Sequence, residues 1–78
     1  MPTVLRQNGY RFSFYSYDLG EPIHVHVTKN GREAKVWLSP LHMEWNDGFR
    51  QHELRDILKI VEANKKLIEA RWYERKNQ

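Results

Sequence analysis

The spacing of apolar residues changes once along this chain, near Phe49, and that change does most to limit its fold. Upstream, Tyr10-Arg11-Phe12-Ser13-Phe14-Tyr15 alternates with a period of two, as do His24 to Thr28 and Glu33 to Leu38, which is the pattern of half-buried strands. Downstream, Leu54, Ile57, Leu58, Val61, Ile68 and Trp72 fall on a single stripe of an amphipathic helix. Strands followed by a helix predict an α+β domain: an antiparallel meander of about four strands with a C-terminal amphipathic helix packed on one face.

The turns agree with this order. Asn8-Gly9 and Asn30-Gly31 suit two-residue hairpins, because both central residues of a type I′ turn need positive φ. Ser16 to Pro22, with Asp18, Gly20 and Pro22, reads as a loop before the strand at His24. Residues 39–48 carry the punctuating Pro40, Asn46, Asp47 and Gly48, yet Leu41, Met43 and Trp45 alternate, so a loop and a short extra strand both fit. At the helix start, Arg50 is a poor cap, but Glu53 supplies half of a capping box and Phe49 can staple onto Leu54. Asn64 and Lys65 interrupt the stripe and predict a bend or a break there.

With 78 residues there is one domain and one core. The chain has no cysteine, which excludes a disulfide framework, a thiolate zinc site and a cysteine nucleophile, and neither Ser13 nor Ser39 sits in an elbow motif. Three Trp, four Tyr and three Phe must then supply much of the packing. No apolar run approaches the roughly 20 residues that span a bilayer, and the N-terminus lacks a signal-peptide pattern, so a soluble cytoplasmic protein with no membrane partner is expected. Residues 1–48 hold five Lys/Arg against five Asp/Glu, and residues 49–78 hold eight against five, so the net charge of +3 belongs to the helix. That balance is compatible with a polyanion partner and equally with a solvated helix: Arg55, Lys59 and Lys66 share a helical stripe, but Glu62 precedes Lys66 by four and reads as ordinary intrahelical pairing.

The strand periodicity also divides the sheet into two faces. Tyr10, Phe12, Phe14, Val25, Val27, Ala34, Val36 and Leu38 share one side and should meet the helix. The other side presents Arg11, Ser13, Tyr15, His24, His26, Thr28, Glu33, Lys35 and Trp37, and this exposed face is the candidate site.

Several stretches together resemble the small bacterial proteins grouped as domain of unknown function family 4160. They are Met1-Pro2-Thr3-Val4-Leu5-Arg6, Gly9-Tyr10-Arg11-Phe12, Gly20-Glu21-Pro22 with His24-Val25-His26-Val27, Ala34-Lys35 before Trp37-Leu38, and Gly48-Phe49 with Glu53-Leu54. Arg50 departs from the pattern, where a small hydroxyl residue would cap the helix. The resemblance carries no settled activity. It implies a gene found beside another small gene, in arrangements like toxin and antitoxin pairs.

The chemistry of the face centres on His24 and His26, which a spacing of two places on the same side of a strand. Two imidazoles can hold a metal, but a third ligand would have to come from Asp18, Glu21, Glu33 or His42, none at a diagnostic spacing, and no metal or cofactor is expected. As a catalytic pair, His24 and His26 could move protons in a metal-independent ribonuclease, with Arg11 and Lys35 stabilising a phosphorane-like charge. In-line cleavage, however, wants acid and base on opposite sides of the phosphorus. As a binding surface, Tyr15 and Trp37 could stack bases of RNA or DNA while Arg11 and Lys35 meet phosphates. The same Arg11, Tyr15, Lys35 and Trp37, or the helix end at Trp72-Tyr73, could instead dock a cognate small protein encoded nearby or a second copy as a dimer. With the gene company that the resemblance implies, a partner-binding regulator of toxin-antitoxin type is the leading expectation, and the ribonuclease and the nucleic-acid module are its alternatives.

Overall fold

A computed structural model describes residues 3–15 and 20–77. Five antiparallel strands, β1 (Thr3–Gln7), β2 (Tyr10–Ser13), β3 (His24–Lys29), β4 (Arg32–Leu38) and β5 (Leu41–Asp47), lie side by side in sequence order as an open meander. Two helices follow, α1 (Gln51–Ala63) and α2 (Lys65–Lys76). The architecture is the α+β one expected, with a fifth strand formed by the stretch that fitted either a loop or a strand. Residues 16–19 of the expected Ser16 to Pro22 loop lie outside the described residues. Among the described residues, no helix is long and apolar enough to cross a membrane.

Local chemistry accounts for the hairpins. Asn8 and Gly9 have φ of 54° and 83°, and Asn30 and Gly31 have φ of 51° and 78°, the pair of left-handed residues that matches strand twist. β3 is the central strand, and its side chains from His24 to Val27 are buried on both faces.

The core forms as the apolar face predicts, from Tyr10, Phe12, Phe14, Val25, Val27, Ala34, Val36 and Leu38 packed with the helices. On α1 the buried stripe runs through Ile57, Ile60 and Val61, so Leu54 and Leu58 fall at its half-buried margin. Ile68 and Trp72 continue it on α2.

The start of α1 is held by Glu53, whose carboxylate accepts a 2.9 Å bond from the Arg50 backbone N–H and a 3.1 Å bond from the Arg32 guanidinium. Half of a capping box thus works despite the poor cap residue. These donors hold the Glu53 carboxyl below its ordinary value, the backbone bond contributing most. At the junction of the helices the backbone ladder continues, since Asn64 N–H bonds to Ile60 O at 3.0 Å and Ile68 N–H to Asn64 O at 3.0 Å. The Asn64 side chain also donates to Ile60 O at 2.8 Å and to Gln7 on β1 at 3.2 Å, and this local competition for the carbonyl places the expected break at Asn64.

Candidate functional site

Strand register arranges the polar face in three rows. Ser13, His26, Lys35 and Trp45 stand directly across the sheet from one another; Arg11, Thr28, Glu33 and Asp47 form the next row; His24, Trp37 and His42 form the row on the other side. Arg11, His24, His26, Lys35 and Trp37 therefore do share a face. Tyr15 joins them, its ring 4.1 Å from that of His26 and its hydroxyl donating to Glu33 at 2.8 Å.

The face is not open at its centre, which corrects the expectation of an exposed surface. His24 is 0% exposed and His26 5%. Neighbouring rings produce this burial: His24 stands 5.0 Å from Trp37, 5.3 Å from His26 and 5.3 Å from Trp72, centroid to centroid. Trp72 also meets Phe14 edge-on at 5.1 Å, so one indole touches a residue of each expected face. The division into a covered and an uncovered side fails at this end of the sheet, because the far end of α2 closes over it.

Each imidazole has its own partners. Nδ1 of His24 lies 2.9 Å from the Pro22 carbonyl, which can only accept, so that nitrogen carries the proton, and the Glu21 carboxylate is 3.8 Å away. This bond ties the Glu21-Pro22 turn to β3. Nδ1 of His26 faces the Glu33 carboxylate at 3.3 Å. The two rings thus turn toward different carboxylates. Among the described residues, no group of three His, Asp or Glu side chains is placed to hold a metal ion, and Asp18 lies outside them.

Two cations of the face, Lys35 and Arg11, have partners on it. Lys35 donates to Glu21 at 2.9 Å and sits 4.5 Å over the Trp37 ring, with its side chain 15% exposed. Arg11, one row away, donates to Thr3 on β1 at 2.7 Å. The Trp37 indole N–H donates to Glu44, and the ring stacks with His42 at 6.4 Å. Four carboxylates, Glu21, Glu33, Glu44 and Asp47, stand on or beside this face with three cations, Lys35, Arg11 and Arg6, the last opposite Arg11 on β1.

Two members of this surface escape a reading of the sequence. Trp45 alternates with Leu41 and Met43, which would put all three on one side, but a bulge interrupts the register between Lys35 and Val36. Met43 then lies opposite Val36 and Trp45 opposite Lys35, on the other face. Its polar neighbours Glu44, Asn46 and Asp47 are the one sequence signal for this. Trp72 reads as a core residue of the helix, and nothing in its spacing shows that it also covers a histidine.

Residues 9–73, from the first hairpin to the end of the Trp72-Tyr73 pair, match the family model described as Domain of unknown function (DUF4160). No curated protein and no solved structure matches the chain. The matched span holds both histidines, the bulged fifth strand and the indole that closes over His24, so the whole site lies within the shared region, and the chain belongs to the DUF4160 family.

Proposed function

We propose that this chain is a bacterial cytoplasmic partner-binding protein of toxin-antitoxin type, and that its contact surface is the β4–β5 side of the polar sheet face. The observation that carries this reading is Trp45, 42% exposed on an edge strand, beside a face whose centre is packed with rings. A large indole left exposed, its ring 6.3 Å from that of the buried His26, is the kind of anchor that protein interfaces use.

Burial of His24 and His26 favours a structural role for the pair over proton transfer to a phosphodiester, which needs reach to the substrate. The carboxylates beside Trp45, those of Glu33, Glu44 and Asp47, favour a protein over RNA or DNA, whose phosphates they would repel. A different chain fits better than a second copy. In symmetric antiparallel pairing about the middle of the 44–47 stretch, Glu44 of one copy would approach Asp47 of the other beside a bulge, and the like charge and the bulge both disfavour strand addition.

The test is expression of the chain alone and beside its neighbouring gene, scoring growth, co-purification and RNA integrity. Co-purification without RNA decay supports the reading. Growth arrest with RNA decay from this chain alone supports a ribonuclease instead.

A further inference from the structure

We infer that the Trp45 surface takes a cationic segment of a partner protein, with an arginine or lysine side chain laid over the exposed indole. This inference rests on the partner-binding reading above and specifies the partner's chemistry. In the row Ser13, His26, Lys35, Trp45, the first two are buried and Lys35 is mostly withdrawn, so the indole is the accessible group. The nearest pair on the same face is Glu33 and Asp47, opposite one another on β4 and β5, and Glu44 adjoins Trp45 in sequence. Asp47 and Glu44 are exposed, and the Glu33 side chain is partly so.

The cation that could neutralise this group, Lys35, is already held by Glu21 and by the Trp37 ring. What remains accessible around Trp45 is an aromatic face with negative charge beside it, the arrangement that binds an ammonium or guanidinium group. The same face already uses this chemistry once, where Lys35 lies over Trp37 close to Glu21. The basic excess of the chain sits on the helices, which pack on the core face of β4 and β5, the opposite side of the strand pair from Trp45.

Fluorescence anisotropy with labelled oligoarginine, oligoglutamate and single-stranded oligouridine RNA tests the inference on the full chain. Oligoarginine should bind the wild type and weaken as salt rises. Binding should fall roughly tenfold in Trp45→Ser and severalfold in Glu44→Gln/Asp47→Asn, while Trp45→Phe keeps most of it. Circular dichroism confirms that each variant is folded. Oligoarginine binding that ignores Trp45→Ser, Trp45-dependent binding of RNA or oligoglutamate, or self-association lost in Trp45→Ser would each overturn the inference. The co-expressed neighbour separates this failure from that of the broader reading. If its association is lost in Trp45→Ser but indifferent to salt and to the two neutralised carboxylates, the surface is the contact site and its partner is not cationic. If it binds and ignores Trp45→Ser, both are wrong.

Discussion

His24, the first residue of the central strand, lies edge-on to Trp72 near the end of the last helix, with ring centroids 5.3 Å apart. That contact joins the two ends of the fold and closes the polar face of the sheet where His24 and His26 meet. Truncating Trp72 should therefore expose both faces at once.

Trp72→Ala removes an indole packed against Phe14 and His24, and a buried Trp truncation costs about 3 to 5 kcal/mol. In a domain of this size that is a large share of the total stability. Urea denaturation should show the midpoint falling sharply, and a change below about 1 kcal/mol would mean that the indole is not packed between those two rings.

Ile57→Ala and Leu58→Ala distinguish the centre of the helical stripe from its margin. Ile57 is fully buried and Leu58 only partly, so the first should cost about 2 to 5 kcal/mol and the second clearly less. Equal losses, or a larger one for Leu58, would mean that α1 is rotated about its axis, with Leu58 nearer the centre of the buried stripe.

The core face and both hairpins are legible in the sequence because their causes are local: alternation sets which residues share a side, and Asn-Gly pairs set the turns. The break at Asn64 and the role of Glu53 are legible for the same reason. Trp45 is not, because a single bulge reverses the face of every residue after it, and its only local signal is the run of polar neighbours Glu44, Asn46 and Asp47, which a loop would carry equally well. The burial of His24 is not legible either, since it depends on the tertiary approach of Trp72 and on Trp37 from the neighbouring strand. Arg11, Tyr15, Lys35 and Trp37 do fall on the face that alternation assigns them, but their partners Thr3, Glu33, Glu21 and Glu44 turn much of that polar surface inward on itself.

Glu53 should make stability fall in acid. Its folded carboxyl is held below the ordinary value of 4.5 by the Arg50 backbone N–H and the Arg32 guanidinium, so the unfolded chain takes up the proton first. The stabilisation is present above that ordinary value and is lost as pH falls through the lower folded value. Glu53→Gln should be less stable than the wild type near neutral pH, and the two stability curves should converge in acid. Parallel curves would mean that the Glu53 charge contributes nothing to the fold.

His24→Asn/His26→Asn separates packing from proton transfer. Asparagine keeps hydrogen-bonding capacity but fills less of the space among Trp37, Tyr15 and Trp72, so the variant should be destabilised, measurably in urea. No RNA cleavage is expected from the wild type. Cleavage by the wild type that the folded double variant lacks would establish the pair as catalytic.

The exposed Trp45 indole should anchor a partner protein. Co-purification of the neighbouring gene's product with the wild type and with Trp45→Ser, both verified as folded, tests it most directly. A stable complex with the wild type and its loss in Trp45→Ser are expected; a complex that survives the substitution with unchanged affinity contradicts the claim.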